Sequence, residues 1–266
     1  GWEFSLSSER SGRSGMTLFD SFDSDRKAVL NPEDFIEKAA DFPETVVVTF
    51  KQQILDIMLD TCDCEKIAEL DLGSDIPLYR LEYGEKPLAF YKTVMGAAGA
   101  VALMEEAIAL GGKNFVFFGS CGTLSGSGFE VGSFVVPTAA YRDEGTSYHY
   151  LEAADYIEIE TAGQTAEILR ELGLDFTETK TWTTDGLYRE TVRNMRGRIA
   201  EGCGVVDMEC SAFMAVAKFR GVRAYQYLYT EDHLDEIRWE PRTLGRVPRS
   251  ASELYLKAAL EIAARV

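Results

Sequence analysis

A strand–helix–strand pattern between residues 205 and 233 constrains the fold of this chain more than any other feature. Small and apolar residues recur at helical spacing from Cys210, and Gly221 is expected to end that helix. An apolar run precedes the helix, and residues 224–229 predict a buried strand after it. Strands and helices alternate elsewhere in the same way, which favours a single α/β unit.

Two clusters of acidic residues accompany this pattern. Asp207 and Glu209 follow the first apolar run, with Met208 between them, while Glu231 and Asp232 are expected just past the end of the second strand. Ligands of open α/β sheets bind where strands run out into loops, so both clusters can face one pocket. On the pattern alone, solvated residues at a helix cap and in a loop explain them equally well.

The composition excludes several classes of function. With 266 residues, of which 46% are hydrophobic, the chain can bury a sizeable core. Its 44 acidic and 27 basic residues give a net charge of −17, which repels nucleic acid and anionic membranes. No apolar run approaches the roughly 20 residues of a membrane helix, and no secretory signal opens the sequence.

Cysteine and histidine usage argues against metal sites and disulfides. The five cysteines are scattered, their number is odd, and their spacing matches neither a zinc site nor a disulfide framework. With only two histidines, we expect no metal site and no cofactor. Reduced cysteines are typical of the cytoplasm, which is the predicted location.

The first residues differ in composition from the rest. Residues 1–15 are rich in Ser, Gly and Arg and aperiodic, and Met16 follows them. We expect this segment to be tag-derived or disordered, and residues 16–266 to form a single domain. No internal repeat or linker divides that domain.

A glycine-rich segment follows another predicted strand. Residues 114–118 predict a buried strand, and Gly119-Ser-Cys-Gly122 is expected to end it. Backbone N–H groups and a hydroxyl at the end of a strand suit the oxygens of a sugar or an anion. Residues 141–150 form a polar, aromatic stretch that is expected to be a loop facing a ligand or an interface.

Four segments of the chain, taken in order, carry a family resemblance. They are Phe118–Gly122, Val131–Pro137 with Arg142–Ser147, Thr183–Tyr188, and Val206–Glu209 leading to Glu231-Asp232-His233. Together they resemble the nucleoside phosphorylase/nucleosidase family, which includes bacterial purine nucleoside phosphorylase and uridine phosphorylase. The resemblance covers roughly Thr45 to the C-terminus.

The resemblance implies a fold and a reaction. The implied fold is a three-layer α/β/α arrangement whose central mixed sheet is partly barrel-like. The implied reaction cleaves the ribosyl C1–N bond of a nucleoside, with phosphate or water attacking the sugar through an oxocarbenium-like transition state. Members of the family are homo-oligomers, as dimers, trimers or hexamers, and some share residues across subunits.

Two carboxylates carry the implied chemistry. Glu209 matches the residue that holds the ribose 2′- and 3′-hydroxyls and favours positive charge at C1. Asp232 matches the acid that protonates N7 as a purine base leaves. For this purpose Asp232 is expected to lie in a closed apolar pocket beside Glu231.

Further positions complete the implied site. The other residues expected to contact the nucleoside are Ser120, Cys121, Gly122, Leu187, Tyr188, Asp207, Met208, Glu231 and Arg193. Among these, Met208 lines the apolar face of the sugar. The residues expected near phosphate or water are Lys51, Gln53 and Ser120.

The sequence departs from the family at the nucleophile site. Phe117 stands where phosphorolytic members have an arginine, and Lys51 is the only cation in the first loop. Phosphate without bidentate cations is held weakly. Gln53 lies near the place where nucleosidases have a glutamate, and an amide orients water without deprotonating it. Inorganic phosphate and water therefore both stay open as co-substrates, with phosphorolysis favoured.

The base site also departs from the pyrimidine-specific pattern. Thr191 replaces the glutamine of the uracil clamp, Arg193 keeps its arginine, and Leu187 replaces the aromatic ring that stacks on the base. The retained Asp232 favours a purine. The alternatives are hydrolysis of the same bond, uridine phosphorylase-type specificity, and a non-catalytic nucleoside-binding protein.

Overall fold

One mixed sheet connects the strands of the chain. A computed structural model describes residues 17–71, 73 and 75–266, so the segment 1–15 lies outside the described residues. The strands are β1 (Thr45–Thr49), β2 (Cys64–Asp71), β3 (Asp75–Tyr83), β4 (Lys86–Lys92), β5 (Asn114–Leu124), β6 (Phe134–Asp143), β7 (Tyr156–Glu158), β8 (Phe176–Thr184), β9 (Cys203–Asp207), β10 (Arg223–Leu234) and β11 (Trp239–Glu240). The single-domain organisation of residues 16–266 stays a prediction.

Part of the sheet closes on itself. β5 pairs with both β9 and β10, and the pairings β9–β8, β8–β6 and β6–β10 complete a ring. β1, β4, β3 and β2 continue from β5 as an open extension. The mixed sheet with its closed part confirms the predicted α/β fold with a partly barrel-like sheet.

Helices cover the sheet in two groups. The helices are α1 (Gln52–Thr61), α2 (Ala97–Leu110), α3 (Ala162–Glu171), α4 (Val192–Ala200), α5 (Cys210–Arg220) and α6 (Arg249–Arg265). Helix α6 packs on α1 and α3, whereas α2 packs on α5. Because their apolar faces meet the strands, one large core cluster runs from β1 to α6.

The helix predicted from Cys210 is present, and its end is the one expected. Helix α5 ends at Gly221, which has a φ of 75° in the left-handed region. A side chain is strained in that conformation, and glycine adopts it freely. Gly221 therefore ends α5 shortly before β10 begins at Arg223.

Two strands are longer than the sequence pattern indicates. β5 continues through Gly119–Gly122, because β10 pairs with it as far as Leu124. β10 in turn includes Glu231 and Asp232, which were expected beyond its end. The register between these strands shifts between Thr230 and Asp232, so Glu231 is the extra residue of a β-bulge.

Candidate active site

A cavity of about 310 Å³ lies where the ring meets the open extension. Its lining residues are Phe50, Lys51, Met95, Gly119, Ser120, Cys121, Gly122, Leu187, Glu190, Val206, Asp207, Met208, Glu209, Gln226, Leu228, Asp232, Leu234 and Leu244. Residues from distant parts of the chain meet here because β5, β9 and β10 are neighbours. The cavity has the location and the apolar lining with a few polar groups that small-molecule sites share.

A change of partner along β5 opens one edge of this strand to the cavity. The first half of β5 pairs with β1 as far as Phe118, and pairing with β9 begins at Gly122. Residues 119–121 therefore pair with β10 alone and leave their other edge free of a strand partner. The free edge explains how a continuous strand, rather than a loop, provides the glycine-rich wall of the site.

Glu209 is held at the junction of β9 and α5. It is the N-cap residue of α5, its exposed fraction is 7%, and Oε1 accepts a hydrogen bond of 2.6 Å from the backbone N–H of Gly96. Burial raises the pKa of Glu209 to about 8, and the nearby Asp207 adds to the effect. The carboxyl group thus sits in the cavity wall with a strongly reduced tendency to ionise.

Both carboxylate oxygens of Asp207 accept hydrogen bonds from other groups of the protein. Its Oδ1 accepts hydrogen bonds of 2.8 Å from the hydroxyls of Thr181 and Thr183. Its Oδ2 accepts from the backbone N–H groups of Glu209 at 2.9 Å and Cys210 at 2.7 Å. Burial raises the pKa of Asp207, while these four donors oppose the rise. The carboxylate therefore fixes the turn that carries Glu209.

Asp232 projects from β10 beside the glycine-rich wall. Its Oδ2 accepts a hydrogen bond of 2.7 Å from the indole N–H of Trp239. A Cβ atom on Gly122 would lie 3.3 Å from Oδ1 of Asp232 and 2.9 Å from a methyl group of Leu234. Glycine at position 122 consequently leaves room for the carboxylate and for a ligand next to it.

The sequence analysis missed Glu190. This half-buried residue follows the short 3₁₀ turn Leu187–Arg189 and lines the same cavity. Burial raises its pKa to about 7, and Asp232 contributes to the rise. Its closeness to Leu187 in the sequence was the only available signal.

Lys51, which lines the cavity, forms an ion pair with Glu231. Lys51 Nζ contacts Glu231 Oε1, and the exposed fraction of Glu231 is only 1%. The other carboxylate oxygen, Oε2, is buried without a hydrogen-bond partner among the described residues. Burial raises the pKa of Glu231, while Lys51 lowers it.

A second cavity of about 530 Å³ adjoins this ion pair. Its lining residues are Lys51, Gln52, Gln53, Ser120, Glu231, Leu244, Gly245 and Val247. Lys51, Ser120 and Leu244 line both cavities, so the two spaces meet at the ion pair. Gln53 does not point freely into the space, because its Oε1 accepts a 2.9 Å hydrogen bond from Ser252.

Aromatic rings surround Phe117, which stands at the position of the arginine implied by the family resemblance. Phe117 is fully buried and stacks on Phe213 of α5, with ring centroids 3.7 Å apart. Phe50 packs tilted against Phe213 at 6.3 Å. Phe50 also covers Gly119 so closely that a Cβ atom there would lie 2.7 Å from its ring. This side of the cavity is therefore apolar and provides no cation for phosphate.

Most of the residues singled out from the sequence come together, and two do not. Those that line the first cavity are Lys51, Ser120, Cys121, Gly122, Leu187, Asp207, Met208, Glu209 and Asp232. Gln53 and Glu231 line the second cavity. Tyr188, with an exposed fraction of 94%, and Arg193, also exposed, line neither.

The sequence missed most of the apolar lining, and the structure shows why. Leu228 and Leu234, for example, belong to β10, whose sequence pattern indicates only a buried strand. Their place in the wall follows from the closure of the ring. No local spacing in the sequence signals it.

The structure also bears on membrane insertion and metal binding. Among the described residues, no helix combines the length and the apolar character needed to cross a membrane. Within the same part of the chain, no three His, Cys, Asp or Glu side chains are grouped as metal ligands.

The chain belongs to the phosphorylase superfamily, whose sequence profile matches residues 44–265. A similar protein is the guanosine phosphorylase of Halorubrum lacusprofundi, with 25% identity over 188 residues, 69% of this chain and 76% of the relative. Another is the uridine phosphorylase of Thermococcus kodakarensis, with 29% identity over 109 residues, 40% of this chain and 39% of that protein.

Solved structures with the same fold include two nucleoside phosphorylases. Purine nucleoside phosphorylase from Toxoplasma gondii, in complex with immucillin-H, superposes with a TM-score of 0.71 at 20% identity, covering 88% of this chain and 92% of that one. Uridine phosphorylase from Vibrio fischeri superposes with a TM-score of 0.70 at 18% identity, covering 88% of this chain and 95% of that one. The predicted family and an enzyme of the nucleoside phosphorylase type are thereby confirmed.

Proposed function

We propose that this enzyme cleaves the N-glycosidic bond of a purine nucleoside and transfers the ribosyl group to inorganic phosphate. The observation that carries the proposal is the convergence of Glu209 and Asp232 on one cavity beside the free edge of β5. The products are the free base and ribose 1-phosphate. No resident cofactor is required for this reaction.

Glu209 suits the sugar end of the cavity. Gly96 holds one of its oxygens, and the turn fixed by Asp207 holds its backbone. A carboxyl group fixed in this way can hydrogen-bond to the 2′- and 3′-hydroxyls of ribose. In its ionised form it also stabilises the positive charge that develops at C1 as the bond breaks. Met208 lines the cavity next to it and provides an apolar contact for the sugar.

Asp232 suits the base end. Trp239 orients its carboxyl group through Oδ2, which leaves Oδ1 beside Gly122 at the cavity wall. A protonated carboxyl group there can donate to N7 of a purine, so that the base leaves as a neutral molecule. Leu187 and Leu234 line the cavity and offer apolar surface to the ring.

The geometry favours a purine over uracil. Arg193, which keeps the arginine of the uracil clamp, is exposed and does not line either cavity. The cavity therefore lacks the pair of side chains that reads the edge of uracil. Strong discrimination for a base requires such paired polar contacts.

Family membership supports phosphate as the nucleophile. Lys51 is the cation that lines the cavities, and Ser120 lines both cavities as well. The predicted homo-oligomer, in which a neighbour provides further cations, stays a prediction, as does the cytoplasmic location.

Base release from a panel of nucleosides tests the proposal. Purine and pyrimidine nucleosides are incubated with the enzyme in the presence and absence of phosphate, and the base and the sugar product are separated by chromatography. We expect release from purine nucleosides, with ribose 1-phosphate as a product when phosphate is present. Release from uridine alone contradicts the base assignment. Ligand-induced thermal stabilisation without any release shows a binding protein instead.

A further inference from the structure

Glu190 lines the first cavity, but the proposed reaction assigns no role to it. It comes directly after the 3₁₀ turn Leu187–Arg189, so it follows Leu187 closely in the sequence. It is also close enough to Asp232 for the charge of that carboxylate to raise its pKa. Leu187 and Asp232 are the residues proposed to contact the base. Glu190 therefore belongs to the base end of the cavity.

The carboxyl group of Glu190 is partly shielded from water and has no partner in the protein. Burial raises its pKa to about 7, and Asp232 adds to the rise. No hydrogen-bond donor or cation among the described residues opposes this rise. Because shielded polar groups usually have a hydrogen-bond partner, a ligand in the cavity can provide the missing one. The other charged residues that line the cavity or flank the turn are Lys51, Arg189, Arg193, Asp207 and Glu209.

The order of the atoms along a purine ring determines what Glu190 can contact. In the proposed reaction Asp232 donates to N7, and the substituent at C6 is the next polar group along that edge of the ring. A carboxyl group near Asp232 therefore meets the C6 substituent. An amino group at C6 donates hydrogen bonds, whereas an oxo group accepts them. An ionised carboxylate is an acceptor only, so it pairs with the amino group and repels the oxo group.

We propose that Glu190 is a specificity-determining residue whose carboxylate accepts a hydrogen bond from the 6-amino group of the base, so that the enzyme favours 6-aminopurine nucleosides over 6-oxopurine nucleosides. The inference rests on the proposed function for the bond that is broken and for the contact of Asp232 with N7. It adds a choice between two classes of purine. When Glu190 is protonated, it can donate to an oxo group instead, and the preference is lost.

The pH dependence of base selection tests this role. The kcat/KM for adenosine and for inosine is measured at saturating phosphate, and the ratio of the two is compared at pH 6 and pH 8. Since the pKa of Glu190 is about 7, roughly one tenth of it is ionised at pH 6 and roughly nine tenths at pH 8. Both nucleosides stay neutral over this range, and ionisations that affect both rates equally cancel in the ratio. We expect the ratio of adenosine to inosine to rise about 10-fold.

The variant Glu190→Gln keeps the size of the side chain and removes its ionisation. The amide has a donor and an acceptor, so it can pair with an amino or an oxo group by rotating. At pH 8 the ratio should fall about 10- to 100-fold relative to the wild type, the range of a hydrogen bond to a charged group. It should also be the same at both pH values. Glu158→Gln replaces an exposed glutamate of β7 and, as the matched control, should leave the ratio unchanged.

The contrary outcomes separate this inference from the proposed function. A ratio that is the same in the wild type and in Glu190→Gln overturns the role of Glu190 and leaves purine cleavage intact. A wild-type ratio that stays constant or falls between pH 6 and pH 8 overturns it as well, and this measurement requires no variant to fold. No base release from any purine nucleoside by the wild type rejects the proposed function and the inference together.

Discussion

Glu209 and Asp232 differ in how the protein holds them. Glu209 is buried and fixed by a backbone N–H, whereas Asp232 is half-buried and fixed by the indole of Trp239. The buried carboxyl group of Glu209 is held in a fixed position beside the proposed sugar site. The half-buried carboxyl group of Asp232, in contrast, is partly accessible to solvent. The two environments thus suit a stabilising role for Glu209 and a proton-transfer role for Asp232.

Replacing Asp232 with asparagine tests the proton-transfer role. The amide cannot donate an acidic proton to N7, so base release should fall by roughly 10² to 10⁴-fold, the usual contribution of a general acid. The substitution keeps the shape of the side chain, and the melting temperature should stay close to that of the wild type. Steady-state assays measure the rate of base release, and thermal denaturation measures the melting temperature. Asp175→Asn, at an exposed site, is the matched control, and unchanged activity in Asp232→Asn removes the residue from the mechanism.

The raised pKa of Glu209 predicts a dependence of stability on pH. Its pKa is about 8 in the folded protein against an ordinary value of 4.5, so the folded state binds more protons between these values. The stabilisation is fully present below about pH 4.5 and is lost as the pH rises through 8. Since one pKa unit corresponds to about 1.4 kcal/mol, Glu209 should contribute roughly 3 to 5 kcal/mol to this loss.

Urea unfolding between pH 5 and pH 9 measures this effect. The free energy of unfolding of the wild type should decrease across the range. Glu209→Gln cannot ionise, so its curve should be flatter than that of the wild type. The remaining slope comes from the other buried acids, including Glu190 and Glu231, whose pKa values are also raised. Parallel curves for the two proteins show that Glu209 is ionised when folded at neutral pH.

At the level of elements, the sequence predicts the helices and strands better than it predicts where strands end. The helical spacing after Cys210 and the left-handed Gly221 define α5 correctly, because both signals are local. The predicted ends of β5 and β10 were wrong, because these strands lengthen each other through mutual pairing. Glycine and acidic residues usually interrupt a strand, but tertiary pairing overrides that preference here.

Some contacts of the site also depend on tertiary structure and could not be predicted from local sequence signals. The resemblance identifies Glu209 and Asp232 through residues that are close together in sequence. The pair Lys51–Glu231, in contrast, joins residues 180 positions apart. The bulge that places Glu231 at the wall of the second cavity depends on the register of β10 against β5. Neither feature has a local sequence signal.

Replacing Asp207, at the junction of β9 and α5, distinguishes a role in stability from a role in nucleoside binding. Asp207 was expected to contact the nucleoside, yet its carboxylate accepts four hydrogen bonds from the protein. Asp207→Ala leaves two backbone N–H groups and two hydroxyls without this partner. The free energy of unfolding should therefore fall by about 2 to 4 kcal/mol, as measured by urea denaturation. Asp175→Ala is the control, and a loss of nucleoside affinity without a loss of stability shows direct binding instead.

For the molecule as a whole, closure of the ring brings acidic residues together around the ligand space. The acids that line the two cavities are Glu190, Asp207, Glu209, Glu231 and Asp232. Lys51 is the only lysine or arginine among the residues that line these cavities. The remaining surface has the same sign, since the net charge of the chain is −17. The field of the whole protein therefore opposes the approach of an anion and has little effect on a neutral nucleoside.

This field predicts that salt distinguishes the two substrates. Raising the ionic strength from about 0.01 to 0.15 M shortens the screening length from about 30 to 8 Å, which weakens the repulsion of phosphate. The kcat/KM for phosphate should rise about two- to fivefold in potassium chloride, within the range of electrostatic effects on association. The kcat/KM for the nucleoside, at saturating phosphate, should stay nearly constant and serves as the internal control. A phosphate kcat/KM that falls with salt instead shows that cations dominate the site, as they would if a neighbouring subunit provided arginines in the assembled enzyme.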